Sequence, residues 1–225
     1  EEGLSDFLSQ FGDVLRAAVY GVAGYGILDE NVDSSTPSPV EILTSQVLIA
    51  EYESIILHVF GVSKLNLSIL HRMRTLFLEA EIKEKSVRGI ASPYTLDNPK
   101  DCGSKGAHVV TPFMLGLERL GRAAQIDDYW EVFLLFGAVI QIIDDWTDLE
   151  GDLALGHFSY VTLGTEPMRE TQDPQQIAKT LRADQSRVHS TYTVCKDMIA
   201  QSRCILKRLD DSFLVRLVDV TDLRL

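Results

Sequence analysis

The sequence predicts an all-α fold, a single-domain helical bundle of about eight helices spanning residues 1–225. Three observations support this prediction. No segment alternates apolar and polar residues over a strand length with β-branched enrichment. The long apolar segments instead repeat at helical spacing between recognisable start and stop residues. The chain of 225 residues also has no internal repeat and no linker long enough to divide it.

Four helices are predicted in the first half of the chain from their apolar spacing. Ser38, followed by Pro39 and Glu41, is typical of a helix start, and Ser63 begins the next helix in the same way. Glycines follow the last three of these helices, as is common at helix C-termini. Pro112 is expected to kink the fourth helix. The predicted ranges are 6–33, 39–60, 64–87 and 99–120.

Four more helices are predicted in the second half. The first of them contains the almost wholly apolar segment Tyr129–Ile143, and a loop is expected over 153–173. Pro174 is well suited to the first turn of the following helix. The predicted ranges are 127–151, 174–184, 186–209 and 212–223.

The composition excludes several classes of protein. A net charge of −12 argues against a nucleic-acid partner, which needs basic residues to neutralise phosphates. The longest near-uncharged apolar runs, Ala17–Leu28 and Val132–Ile143, cover about 12 residues, whereas a membrane span needs about 20. We therefore expect buried helices and no stable membrane insertion.

The cysteines indicate a reducing compartment. Cys102, Cys195 and Cys204 are odd in number and form no CxxC motif, so we expect reduced thiols and a cytoplasmic protein. The chain begins with Glu1 and Glu2 instead of Met, so its natural start is expected to lie further upstream.

A row of aspartates follows the apolar segment of the fifth predicted helix. Asp144, Asp148 and Asp152 are four residues apart, so on a helix they lie along one face, and Asp145 accompanies them. Two carboxylates about 6 Å apart repel by about 3 kcal/mol at an effective dielectric constant near 20. Oxygen ligands favour Mg²⁺, Mn²⁺ or Ca²⁺ over zinc. The row therefore predicts a site for a multivalent cation.

A second acidic cluster ends the first predicted helix, where Asp29 and Asp33 share a face and Glu30 lies beside them. Each cluster alone is more typical of a solvated helix terminus. Two clusters of the same form, each ending an apolar helix, are much less expected by chance. If the two helices lie side by side, the carboxylates face one another across a cavity.

These motifs resemble those of the class I isoprenoid synthase superfamily, which contains trans-prenyl diphosphate synthases and class I terpene synthases. The resemblance covers Ala17 to His157 in order and spacing. Asp29-Glu30-x-x-Asp33 looks like the first aspartate-rich motif of these enzymes, with Glu where Asp is commonest. The resemblance implies an isoprenoid synthase bundle with a central active-site cavity.

The second motif can be compared with both subclasses. Gln141-x-x-Asp144-Asp145-x-x-Asp148 is similar to the second motif of prenyl synthases, including its preceding glutamine. Asp144, Asp148 and Asp152 also stand where terpene synthases usually carry Asn, Ser or Thr, and Glu. Asp144 and Asp148 are metal ligands under both patterns.

The resemblance also implies a cofactor and a set of site residues. Three Mg²⁺ ions, with Mn²⁺ as an alternative, would bridge the diphosphate of a prenyl substrate. Lys105, in Gly-Ser-Lys-Gly, partly matches a diphosphate-binding lysine of prenyl synthases, and His157 stands near where many relatives carry a second lysine. The implied catalytic residues are Asp29, Asp33, Asp144 and Asp148. The implied metal ligands are Asp29, Glu30, Asp33, Asp144, Asp145, Asp148 and Asp152. The implied diphosphate-binding residues are Lys105, Lys83, Arg88 and Gln141.

The chemistry agrees with this comparison. Metal ions stabilise the charge that develops on a leaving diphosphate, and a dry aromatic cavity protects the allylic carbocation left behind. Candidate lining residues lie on the predicted helices. They are Tyr20, Tyr25, Phe77, Phe113, Phe133 and Phe136.

Departures from the family pattern indicate a divergent member. The segment after the first motif, beginning at Ser34, lacks the arginine pair of chain-elongating synthases, and position 98 is Asn where many terpene synthases carry Arg. We therefore predict a prenyltransferase, with two alternatives: a terpene synthase that cyclises its substrate, or a non-catalytic subunit of a prenyl synthase. A homodimer is compatible with the resemblance. A di-iron bundle is excluded because none of the five histidines follows a Glu by three residues.

Overall fold

The computed structural model describes residues 11–34 and 36–222, except for the side chains of Asp33, Arg169, Glu170, Thr221 and Asp222. Within these residues the regular structure is entirely helical, with nine α-helices and four 3₁₀ segments, which confirms the predicted all-α class. The α-helices are α1 (Phe11–Asp33), α2 (Pro39–Phe60), α3 (Lys64–Val87), α4 (Ala107–Arg119), α5 (Ile126–Thr147), α6 (Leu149–Leu155), α7 (Pro174–Ala183), α8 (Gln185–Arg208) and α9 (Ser212–Asp222).

The helices form two compact units. The first comprises the described residues up to Glu81 together with Ala107–Ile126. The second comprises Ile82–Gly106 and the chain from Asp127 onwards. The acidic cluster at the end of α1 therefore belongs to the first unit, and the aspartate row after α5 belongs to the second.

The first unit is built on an antiparallel pair formed by α1 and α2, against which α4 packs. Glycines bring the two helices close together: a Cβ at Gly24 would lie 2.9 Å from Ile49 Cγ1, and one at Gly21 would lie 2.9 Å from the Tyr52 ring. Pro112 lies within α4 and has no N–H to donate to the His108 carbonyl one turn earlier. The Tyr52 hydroxyl donates to that carbonyl at 3.3 Å.

The second unit contains an unusually close backbone contact. A Cβ at Gly103, in the 3₁₀ segment Pro99–Gly106, would lie 2.1 Å from the Leu134 carbonyl oxygen of α5. Opposite it, a Cβ at Gly137 would lie 3.3 Å from Gly103 Cα. This pair of glycines lets the 3₁₀ segment lie directly on α5, and it thereby positions Lys105. Further along the chain, α6 packs on α7, α7 on α8 and α8 on α9.

Several predicted boundaries differ from the structure. The start of the first predicted helix lies outside the described residues, and the predicted helix 99–120 divides into a 3₁₀ segment and α4. The 3₁₀ segment ends with Gly103 and Gly106, two glycines within four residues, and glycine disfavours a regular α-helix. The predicted helix 127–151 divides at Asp148, and the expected loop after it contains the end of α6 and two 3₁₀ segments.

The apolar runs are buried on one side only. In α1, Ala17 and Tyr25 are buried, but Val19 and Val22 are more than half exposed. The expectation of fully buried helices is therefore wrong for this run. Helix α2 is long and apolar enough to cross a membrane by length and composition, a property that a single core helix can share.

Candidate functional site

The aspartate row of the second unit keeps its helical spacing across the junction between α5 and α6. The Asp148 N–H donates to the Asp144 carbonyl at 2.9 Å, and the Asp152 N–H donates to the Asp148 carbonyl at 3.0 Å. Asp148 itself has φ −96° and ψ 8°, outside the α-helical region, and it separates α5 from α6. The predicted row along one face is therefore retained despite the interruption of the helix.

Asp145 lies inside the unit, and only 4% of its surface is exposed. Its Oδ1 accepts a hydrogen bond from Gln141 Nε2 at 3.0 Å, whereas Oδ2 has no hydrogen-bond partner within the described residues. Burial raises the pKa of Asp145 to about 7, with a smaller contribution from the charge of Asp152. Gln141, predicted to bind diphosphate, thus orients a carboxylate in this structure.

Asp152 is half-buried, and the other aspartates of the row affect its pKa. The pKa of Asp152 is raised to about 6, chiefly by burial and also by the neighbouring carboxylates of Asp148 and Asp144. Glu84 also raises this pKa, and Lys105 lowers it. Asp144 and Asp148 are exposed. The structure thereby brings Lys105 and the aspartate row, which are far apart in the chain, into one electrostatic environment.

Glu84 links this environment to two further residues. Lys105 Nζ lies 2.7 Å from Glu84 Oε2, and the Tyr94 hydroxyl donates to Glu84 Oε1. The Lys105 and Glu84 side chains are only 17% and 22% exposed, and the Tyr94 side chain is buried. Sequence reasoning did not identify Glu84 or Tyr94, because Glu84 stands between two lysines near the end of α3 and resembles a solvated terminus.

The other predicted cationic residues have different surroundings. Lys83 Nζ lies 3.4 Å from Asp101 Oδ2 and 5.9 Å from the centre of the Tyr94 ring, and its side chain is 45% exposed. Arg88 is half-buried after the end of α3. The His157 backbone N–H donates to the Asp152 carbonyl at 2.8 Å, so this residue contributes to the end of α6.

The acidic cluster of the first unit is organised around Asn31, which is 4% exposed. Its Nδ2 donates to Glu41 Oε2 at 3.1 Å, and its Oδ1 accepts from the Ser38 N–H at 2.8 Å. Asn31 therefore ties the end of α1 to the start of α2. Asp29 is half-buried and Glu30 is exposed, while the side chain of Asp33 is outside the description.

Aromatic residues fill the interior of the first unit. Tyr25 lies with its ring centre 4.8 Å from that of Phe77 and stacks on His108 at 4.9 Å. Tyr25 and Phe77, both predicted to line a cavity, are 3% and 2% exposed. In this structure they pack against one another, and Phe113 is 36% exposed.

The donors of the aspartate row are oxygen atoms only, which suits a hydrated divalent cation. No three or more His, Cys, Asp or Glu side chains among the described residues are grouped closely enough to form a metal cage. Mg²⁺ usually needs no such cage, because it binds one or two carboxylates and completes its shell with water and substrate phosphates. The all-oxygen donors of the row, and the unpartnered Oδ2 of Asp145, fit this mode of binding.

Comparisons with known protein families, with curated proteins and with solved structures found no match.

Proposed function

We propose that this protein ionises an allylic prenyl diphosphate in a Mg²⁺-dependent reaction and transfers the prenyl group to an acceptor. One observation carries the proposal: in the second unit, burial and mutual repulsion raise the pKa of Asp145 and of Asp152 beside two exposed aspartates. Such a row is most stable as a set of carboxylates when a cation neutralises it.

The residues of the row would have distinct parts in this reaction. The exposed carboxylates of Asp144 and Asp148 are accessible to a hydrated cation and would hold it, with Asp152 beside them. Mg²⁺, when bound, supplies positive charge that stabilises the departing diphosphate. Asp145, whose Oδ1 accepts from Gln141 inside the unit, would support the row from behind or act as an alternate ligand.

Lys105 would bind the diphosphate. Its ammonium lies near the row, since it lowers the pKa of Asp152. Its present partner, Glu84, holds the side chain in place and offsets its charge. In the first unit, Asp29, Glu30 and Asp33 are assigned to metal binding by the resemblance alone.

The decisive experiment is incubation with prenyl diphosphates of 10 to 20 carbons and Mg²⁺, with measurement of diphosphate release and analysis of products. We expect Asp144→Asn to reduce turnover by about 10²-fold or more, since an aligned charge on a reacting group is typically worth this much. Glu150→Gln is the matched control, because Glu150 is an exposed carboxylate on the same segment but outside the row. A wild-type rate in the Asp144 variant would remove this residue from the site.

One observation favours the terpene synthase alternative. The charges of Asp148 and Asp144 both raise the pKa of Asp152, so these three carboxylates lie near one another. They occupy the three positions that match the terpene synthase pattern. A cyclic product formed without a second substrate would support this alternative, whereas a longer chain requires isopentenyl diphosphate as well. If none of the prenyl diphosphates releases diphosphate, the catalytic proposal fails. The alternative of a non-catalytic subunit of a prenyl synthase would then be favoured.

A further inference from the structure

Helix α1 presents an apolar side to solvent. Leu15, Val19 and Val22 are 52%, 65% and 54% exposed. Gly21 and Gly24 lie on the other side of the helix, where α1 meets α2. Single exposed apolar residues are common on protein surfaces, but several that line up on one face mark an interaction surface.

The exposed residues follow the spacing of a helix pair. Gly12, Leu15, Val19, Val22 and Gly26 follow one another at steps of three, four, three and four residues, and all five are exposed. On an α-helix they fall within an arc of about 80°. A Cβ at either glycine would meet nothing within 4 Å. Alternating steps of three and four residues are typical of the contact positions of paired helices. These five residues form the α1 seam.

The α1 seam is nearly the same in both directions. From either end it consists of a glycine, three branched apolar residues and a glycine, with Val19 at the centre. In an antiparallel pair of α1 helices the glycine ends therefore lie opposite each other, and the apolar residues meet between them. A two-fold contact needs a surface that complements itself. The seam therefore suits a second copy of this chain.

The charges of α1 do not oppose such a pair. From Phe11 to Leu28 the charged residues are Asp13 and Arg16, which pair with each other at 2.9 Å. This part of the helix has no net charge, whereas the whole chain carries −12, so that two copies repel each other. A second copy therefore approaches at low electrostatic cost along the α1 seam.

We propose that two copies of this chain associate through their α1 seams, in an antiparallel two-fold contact with Val19 near the axis. The seam is about 21 Å long, and with a helix width of about 10 Å its footprint is about 200 Å². Each partner contributes about 800 Å² to a standard interface, so we expect a weak, concentration-dependent dimer. The proposal does not rest on the function proposed for the aspartate row.

The test is sedimentation equilibrium of the full chain from about 1 μM to about 500 μM, in a reducing buffer because Cys204 is exposed. We expect monomers at the lowest concentration and dimers at the highest. Val19→Glu should weaken the association about tenfold or more, because like charges then meet near the axis. Val47→Glu is the matched control, since Val47 is a 61% exposed valine on α2, outside the seam.

A pair of charge variants separates loss of the contact from misfolding. Val19→Glu mixed with Val19→Lys should associate more strongly than either variant alone, because opposite charges then meet near the axis. Circular dichroism and thermal unfolding check the fold of each variant. Monomers at every concentration would overturn the proposal, as would an equal loss of association in Val47→Glu or no gain in the mixture.

Flotation with phosphatidylcholine vesicles tests whether the seam contacts lipid instead. We expect the wild-type chain to stay in the dense fraction, where the free protein sediments. A wild-type chain that floats with the vesicles but remains monomeric in their absence would overturn the proposal.

Discussion

Burial of the Asp145 carboxyl couples the stability of the metal-free protein to pH. Its pKa of about 7 in the folded state exceeds the ordinary value of 3.8, so the folded chain retains a proton that the unfolded chain loses between these values. The contribution of the protonated Asp145 carboxyl to stability is therefore fully present below pH 3.8, and it is lost as the pH rises through 7. A tenfold difference in acidity between the folded and unfolded states corresponds to about 1.4 kcal/mol of unfolding free energy.

We therefore predict that, with a chelator present, the urea concentration at the unfolding midpoint decreases as the pH is raised from about 5 to about 8. Asp145→Asn should reduce this pH dependence. Asp152 has a raised pKa as well and should account for part of the remaining slope. Urea denaturation at several pH values measures the effect, with Glu150→Gln as the control. An unchanged slope in the Asp145 variant would contradict the prediction.

Glu84 offsets the charge of the lysine that we assign to diphosphate binding. In Glu84→Gln the amide retains a hydrogen bond to Tyr94 but no longer neutralises Lys105. We predict that this variant binds inorganic diphosphate, with Mg²⁺ present, several-fold more tightly in calorimetric titrations, because a salt-bridge partner no longer competes for the ammonium.

Lys105→Ala should weaken the same binding, and Lys83→Ala serves as the control because Lys83 pairs with Asp101 instead. Weaker binding by the Glu84 variant would show that Glu84 acts mainly by positioning Lys105.

At the scale of the elements, the contact of the 3₁₀ segment with α5 depends on one missing side chain. A Cβ at Gly103 would overlap the Leu134 carbonyl oxygen, and backbone on both sides must move to accommodate it. We predict that Gly103→Ala lowers the free energy of unfolding by more than about 2 kcal/mol, as overpacking of a core contact does.

Gly106→Ala is the matched control, since a Cβ there meets nothing within 4 Å in the same segment. Its effect should stay within about 0.5 kcal/mol by urea denaturation. Gly103→Ala should also weaken diphosphate binding, because the displaced segment carries Lys105. Equal stabilities of the two variants would contradict the close contact.

For the molecule as a whole, the acidic motifs are divided between the two units. The resemblance assigns metal ligands to both units, so the proposed function predicts that Asp29→Asn lowers prenyl diphosphate turnover as Asp144→Asn does. Asp13→Asn, on the same helix and paired with Arg16 at 2.9 Å, is the control. Wild-type turnover in the Asp29 variant would restrict the catalytic residues to the second unit.

Helices were predictable where the signal is local. Ser38 and Ser63 begin α2 and α3 as expected, because capping depends on residues three positions apart. The division at Gly106 and the interruption at Asp148 were not predicted, since each depends on how the segment packs within its unit. Glu84 and Tyr94 could not be found from the sequence, because nothing local distinguishes their side chains from those of a solvated helix end.

The all-α class and the spacing of Asp144, Asp148 and Asp152 follow from local sequence, because helical periodicity and the i to i−4 hydrogen bond act over a few residues. Tertiary packing is needed to bury Asp145 while Asp144 stays exposed, and to pair Lys105 with Glu84. It also brings Gly103 against Leu134. These features join residues far apart in the chain, and burial and charge depend on such neighbours.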